Sequence, residues 1–525
     1  MREFGHRAFS RRRLLVGSSL TLVAAGVGLM LTFGVPEPQG CGGPAEEESP
    51  PSAYDDSGAE RREETLPSGY RTGCGKAIVH SGIYALHGDV VTPTGVIPGG
   101  YVVVTGETIT AVNTSAQGAG AGVTTIETNG FIFPGLIDGH GHVEYNHIPI
   151  ANLGKRYQDR DQWPGAALYQ TLVKDPKNAV DKAGISCEAI KHGELRGLVG
   201  GTTAIQGTPS LACVKSLVRN LEQLNFCQDR VRQNVMDIAG FTRSISKKPS
   251  FAQSIASDIA ANKLDAVVVH AGEGIDAHEL AEWGQLKAIN FNKPQLVMIH
   301  TAAFTDAQYK EIAAAGSKIV WSPLSNLLLY GQTADIPSAM KEGVMVCLGS
   351  DWSPSGSPNV LAELKVADHV NQRLWKGSIS DSDLVNMVTI HPAIAFGIDK
   401  FVGSIAVGKV ADLMVVAKES GKTAWRSLID ARPQDVLLVT IAGDPLFGAT
   451  AFMDTLGKKG DYEIIDACGT PRGIDVTVTA ADVPGGTETL ADIESKLKAV
   501  NPQATPVIEC GNAAALAAYA GTPLQ

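Results

Sequence analysis

The sequence predicts an α/β protein: a (β/α)8 TIM-barrel with a discontinuous β-sandwich domain built from the segments before and after the barrel. Three observations lead there. Short apolar runs recur through residues 130–400 with helix-like stretches between them, the pattern of βαβ units. β-branched runs broken by Gly, Pro, Asn and Asp flank that region on both sides, at 76–129 and 401–450. The middle also has the length of a barrel of roughly 250 residues. With 525 residues, 44% of them hydrophobic and 19% charged, the chain has material for such a core, and its composition excludes collagen, a coiled coil and wholesale disorder.

At the head, Arg2, Arg7, Arg11, Arg12 and Arg13 face Glu3 alone, and Leu14 to Val35 carries no charge. A basic stretch before an apolar one reads as an export signal over residues 1–40. SRRRLL at Ser10–Leu15 resembles the twin-arginine pattern, which implies export in the folded state. A retained membrane anchor is the alternative, since about 20 apolar residues span a bilayer. Cys41 is a candidate lipid-bearing residue, although Pro38 stands where lipoprotein signals have an aliphatic side chain. The expected destination is the periplasm or cell surface, with membrane contact only through this segment or a lipid at Cys41. Residues 41–75, rich in Glu, Ser, Pro and Gly, read as an acidic linker.

The net charge is −11 and no basic run occurs beyond the head, so a nucleic-acid partner has no electrostatic support and a small-molecule substrate is expected. The eight Cys show no zinc-finger spacing. In an oxidising destination Cys468 and Cys510, isolated near the end of the chain, are expected to pair, as are two of Cys187, Cys213 and Cys227. Residues 451–525 suggest a strand, a turn and an amphipathic helix, an appendage of unassigned role.

Seven strands are expected in the barrel: FIFPGLI (131–137), TTAIQ (202–206), VRQNVM (231–236), AVVVH (266–270), QLVMIH (295–300), KIVWSP (318–323) and VMVCLGSD (344–351). The eighth is sought between His142 and Gly201 or between Asp237 and Asp265. A doubly wound open sheet is the alternative fold.

The C-terminal ends of these runs carry the chemistry, because active sites of parallel barrels lie at that edge. The first ends in Asp138-Gly-His140-Gly-His142, where alternation puts both imidazoles on one face. The fourth ends in His270 and continues to Glu273, the fifth ends in His300, and the seventh in Asp351. Imidazoles and a carboxylate at four strand ends suit a divalent ion such as Zn2+ or Fe2+.

PGLIDGHGHVE, VHAGE, SPLSNLLLYG and LGSDWSPSGS, with HPAIAFGID and GSIAVGKVADL, resemble the amidohydrolase superfamily, nearest its deaminase and chlorohydrolase-like branch, over about Ala77 to Gly448. The resemblance implies that His140, His142, His270 and Asp351 bind a metal, that Glu273 shuttles protons, and that His300 orients the attacking water or polarises the substrate. Asp351 is also counted among the catalytic groups, sharing its carboxylate between metal and water. Binuclear relatives add a bridging Lys or Glu at a middle strand end. Lys247, Lys248 and Lys263 do not stand at such an end, so one ion, Zn2+ before Fe2+, is expected.

Tyr145, Arg160 and Trp163 are expected as pocket walls, and Asn326 and Ser353 at the rim. His147 reads as a loop residue, His391 as structural, and His278 and His369 as exposed helix positions. The expected activity is hydrolysis of a non-peptide C–N bond, as deaminase or as amide or cyclic amide hydrolase. The alternatives are the same site acting on an ester, lactone, dipeptide or halide, and a non-catalytic extracytoplasmic binding protein.

Overall fold

The β-branched segments on either side of the barrel meet in one sheet. Before the barrel come β1 (Ile83–Thr92), β2 (Gly95–Thr105), β3 (Thr108–Asn113) and β4 (Thr124–Pro134). The barrel strands are β5 (Leu136–Asp138), β6 (Thr202–Ile205), β7 (Arg219–Asn220), β8 (Val231–Val235), β9 (Ala266–Ala271), β10 (Leu296–His300), β11 (Lys318–Trp321) and β12 (Met345–Leu348). After it come β13 (Leu413–Ala417), β14 (Val436–Ile441), β15 (Asp444–Gly448), β16 (Glu463–Asp466) and β17 (Pro471–Ile474). This computed structural model describes residues 82–207, 217–222, 230–235, 249–477 and 488–511. The expected signal 1–40, the linker 41–75, and Cys41, Cys213, Cys227, Lys247 and Lys248 lie outside the described residues. Among the described residues no helix is long and apolar enough to cross a membrane.

The nine-stranded sheet runs β16-β17-β15-β14-β13-β4-β1-β2-β3. β4 is its joint, pairing parallel with β1 and antiparallel with β13, so the two distant segments become one domain. Strand alternation gives it two apolar faces. Ile132, Leu413 and Val415 join Tyr84, Leu86 and Val104 in the sheet's own core. Phe131, Phe133, Met414 and Val416 turn the other way, into the large core shared with the barrel helices.

The barrel strands are all parallel, β5-β6-β7 in one ladder and β8 through β12 in another. First and last strands meet at a seam, where Gly139 N donates to Leu348 O at 2.9 Å and Asp351 N to His140 O at 2.8 Å. Ile137, Ala204, Val268, Val297, Val320 and Cys347 fill one cluster, while their neighbours Leu136, Ile205, Val267, Met298, Ile319 and Leu348 pack with the surrounding helices. The barrel interior is thus a packed core that closes the floor beneath the strand ends.

Two expectations about the strands are corrected. FIFPGLI is not one strand: Phe131–Pro134 finish β4 and only Leu136–Asp138 enter the barrel. The chain changes partners at Gly135, whose N–H donates to Asp412 O at 2.8 Å, while Leu136 N donates to Gly201 O at 2.9 Å. A Cβ at Gly135 would collide with Thr203. The eighth strand lies in neither expected gap but at Arg219–Asn220. It carries no apolar run because its buried side chains are polar and paired: Arg219 Nε and NH2 donate to Asp412 at 2.6 and 3.0 Å, and Asn220 Nδ2 to Glu194 Oε1 at 3.0 Å.

Beyond residue 450, β16 and β17 lengthen the sheet and the helix Leu490–Val500 lies against the helix Ser186–Leu198. Lys496 pairs with Glu188 at 2.8 Å and Lys191 with Glu488 at 3.1 Å. Cys468 and Cys510 are joined in a disulfide, as the sequence suggested, and Cys187 is also disulfide-bonded. The segment ends on the loop after β5: Thr505 N donates to His147 O at 3.0 Å, Thr505 Oγ1 to Asn146 O at 3.0 Å, and Asn501 Nδ2 lies 3.1 Å from His147 Nδ1.

Candidate metal centre

The residues singled out at the strand ends converge. The ligand atoms of His140, His270 and His300 lie within 4.8 Å of one another, as do those of His140, His142 and Asp351. His140 Nε2 and His142 Nε2 stand 3.3 and 3.7 Å from Asp351 Oδ1. His300 Nε2 is 3.9 Å from Asp351 Oδ2 and 3.7 Å from Glu273 Oε2. All six side chains are buried.

Backbone geometry aims them. Along β10, alternation sends Leu296 and Met298 towards the helices, and His300 has their parity. Its φ of +75°, followed by +51° at Thr301, breaks that alternation and brings the imidazole to the site. Asp351 also has a positive φ, +59°. Left-handed non-glycine residues cost of order 1–3 kcal/mol each and concentrate where the surrounding structure fixes them for function. At the turn after His270, Gly272 takes φ +63°, and a Cβ there would meet the Phe304 ring at 2.8 Å. Its N–H donates to Glu282 Oε2 at 2.7 Å, which fixes the turn presenting Glu273.

Hydrogen-bond chains set the tautomers. Gln206 at the end of β6 gives its amide N–H to Glu222, so its Oε1 accepts from His140 Nδ1 at 2.9 Å. The His140 proton therefore sits on Nδ1 and the Nε2 lone pair faces the centre, as metal-ligating histidines require. That Nε2 is buried without a hydrogen-bond partner, as is His270 Nδ1, and orphaned imidazole nitrogens beside a carboxylate fit a divalent ion.

His300 is held the opposite way. Trp321 Nε1 donates to Thr333 Oγ1 at 2.7 Å, whose hydroxyl donates to Asn326 Oδ1 at 3.2 Å. Asn326 Nδ2 is then left to donate to His300 Nδ1 at 3.0 Å, which places the neutral ring's proton on Nε2. His300 thus offers a donor to the site, where His140 offers a lone pair. Asn326, expected at the rim, lies fully buried beneath it.

Electrostatics follow from burial. Burial pushes His142 down to about 4, with His140 adding to the fall and Asp351 opposing it. Burial lowers His300 to about 3 despite Asp351. Asp351 is held well below the usual carboxylate range, because the surrounding imidazoles outweigh the upward pull of burial. Burial raises Glu273 to about 7 against Arg160 and the Tyr330 hydroxyl, with Asp351 adding to the rise. Asp138 is raised by burial to about 6 and holds the seam, accepting from Ser350 N at 2.9 Å.

Sequence reasoning missed Gln206 and Tyr330. Tyr330 OH donates to Glu273 Oε1 at 2.7 Å and accepts from Trp163 Nε1 at 3.1 Å. Both lie inside motifs quoted for other residues, and only the fold brings them to their partners. Of the expected walls, Tyr145 and Trp163 join Tyr169 and Trp352 in an aromatic cluster, Tyr145 6.2 Å from the His142 ring. Arg160 is buried against Glu279 and Glu282. Ser353 Oγ bonds the carbonyls of Tyr145 and Ile148 and so fastens the loop. His147 stands in the loop after β5, as expected, and is fully buried there, whereas His369, expected exposed, is part-buried on its helix.

A profile described as the amidohydrolase family matches residues 131–446. The chain is 27% identical over 147 residues to a 5'-deoxyadenosine deaminase of Methanobrevibacter smithii, covering 27% of this chain and 34% of that protein. It is 24% identical over 221 residues to an S-triazine hydrolase of Gordonia rubripertincta, covering 40% and 46%. The chain thus spans between a third and a half of the length of these curated relatives. The fold is shared with an adenosine deaminase from Xanthomonas campestris solved with bound zinc, at TM-score 0.55 and 17% identity over 70% of this chain and 92% of that one. With the family profile spanning more than half of its length, the chain belongs to the amidohydrolase family.

Proposed function

We propose that this chain is an exported, metal-dependent hydrolase of a non-peptide C–N bond in a small molecule, acting as a deaminase or as an amide or cyclic amide hydrolase. The observation that carries the reading is the convergence of buried imidazoles on Asp351 beside a carboxyl, Glu273, poised near neutrality. In this reading His140, His142, His270 and Asp351 hold a single divalent ion, Zn2+ before Fe2+. Such an ion supplies water acidified to a pKa of about 7.

The chain's own residues do the rest. Tyr330 occupies Glu273 Oε1, which leaves Oε2, on the His300 side, to take a proton from water and return it to the departing nitrogen. His300 Nε2–H donates to the substrate atom that gains negative charge. The aromatic cluster of Tyr145, Trp163, Tyr169 and Trp352 excludes water from the mouth. The deaminase and triazine hydrolase among the relatives support the bond class. The basic, apolar head supports export, and the acidic body supports a small substrate over an anionic polymer.

The test is a screen of the zinc-loaded full chain against aminopurines, pyrimidines, cyclic ureides, amides and dipeptides, scoring ammonia separately from carboxylate. Ammonia without a new acid supports deamination, and a new acid supports amide opening. Stoichiometric metal that persists in a His140→Ala, His142→Ala variant defeats the site, and full turnover by Glu273→Gln defeats the proton role.

A further inference from the structure

Away from the metal centre, the helices Val360–Trp375 and Ala424–Asp430 and the segment Val507–Gly511 enclose a cavity of about 430 Å3. That volume is in the range of small-molecule sites, roughly 300–1,000 Å3. Leu361, Ile429, Val507 and Ile508 supply apolar wall, and the disulfide Cys468–Cys510 ties down the segment that closes it.

One cation in this wall has no counter-ion. Lys365 bonds only the carbonyl of Leu361 on its own helix, at 3.2 Å, and no carboxylate among the described residues lies within ion-pair distance of it. The acids around it are engaged elsewhere. Asp368 on the same helix accepts from Arg426 at 2.8 and 3.2 Å, Asp430 from Lys422 at 2.8 Å, and Asp435 from Arg432 at 3.3 Å. Glu509 in the closing segment pairs with Arg196, and His369 lines the cavity one turn from Lys365. Lys365 is part-buried in this wall, and a part-buried cation without a partner is costly, a cost that an anion beside it removes.

We propose that this cavity is a binding site for a small carboxylate with an apolar body, its carboxylate on Lys365 Nζ and its body against Leu361, Ile429 and Val507. The site shares no residue with the metal centre and does not rest on the proposed function. Burial pushes the Lys365 amine down to about 7, Asp430 and Asp435 opposing and Arg432 adding to the fall. Binding near pH 8 therefore takes up a proton, since the carboxylate favours the ammonium.

The experiment is calorimetric titration of the full chain with octanoate and, separately, octanamide. Octanoate is expected to bind one per chain and at least about tenfold more tightly than octanamide, with proton uptake when buffers of different ionisation enthalpy are compared at pH 8. Lys365→Met is expected to lose about tenfold or more, and Lys365→Arg to keep most of the affinity. Thermal melts of both variants establish folding, and the acid-against-amide comparison needs no variant. Equal affinity for acid and amide, no saturable binding, or octanoate binding unchanged in Lys365→Met, as it would be at the metal, overturns the proposal.

Discussion

The Tyr330 hydroxyl donates a 2.7 Å hydrogen bond to Oε1 of Glu273, and Trp163 donates in turn to that hydroxyl. The bond occupies Oε1 and leaves Oε2 on the His300 side. In Tyr330→Phe, Glu273 loses a hydrogen bond of the kind worth about 1.5–3 kcal/mol to a charged group, so kcat should fall about ten- to a hundredfold. Metal content should stay as in the unaltered chain. A kcat within twofold of normal would remove Tyr330 from the mechanism.

The Trp321–Thr333–Asn326 chain sets the His300 tautomer. Asn326→Asp presents an acceptor to Nδ1 and draws the proton there, away from Nε2, whereas Asn326→Leu only releases it. The expected order of kcat is therefore normal, then Leu, then Asp, with KM changing less. Steady-state kinetics on an identified substrate decides, and equal rates in the two variants would count against the tautomer assignment.

Arg219 and Asp412 form a buried ion pair between the short barrel strand β7 and the segment leading into β13. Arg219→Met leaves the carboxylate without its cation and should destabilise by about 3–5 kcal/mol. Removing both charges, as Arg219→Met with Asp412→Leu, should recover part of that loss, although Ala442 N then loses its acceptor. Denaturant unfolding of the three proteins measures it.

His147 is held down to about 4 by burial and by Lys177, with Asp181 opposing and Arg196 adding. Its folded pKa lies below the unfolded one, so its contribution to stability is whole above about pH 6.5 and is lost as pH falls from there towards 4. The drop is on the order of 3 kcal/mol. Melting midpoints of the unaltered chain and His147→Gln should converge as pH falls through this window. Parallel curves would show that His147 does not titrate there.

The strand-end residues were legible because chemistry at a barrel mouth interrupts an apolar run: VVVH and LVMIH stop on imidazoles that packing alone does not call for. β7 was illegible for the converse reason. Its two residues are polar, and their burial is satisfied by Asp412 and Glu194, partners far along the chain. FIFPGLI concealed a change of sheet because both halves are equally apolar, and only the close approach of Thr203 to Gly135 separates them. Gln206 and Tyr330 owe their roles to partners 66 and 57 residues away, a relationship no local spacing encodes.

The contact of Thr505 with Asn146 and His147 imposes an order on synthesis. The loop that follows the His140–His142 motif emerges from the ribosome early, yet it obtains two of its partners only after 359 further residues have been made. Until then Arg196 lacks Thr505 and Glu509, and the His147 ring is without Asn501. The loop beside the His140–His142 motif is thus fastened by the last-made described segment, so its packing waits on residues translated long after the loop itself.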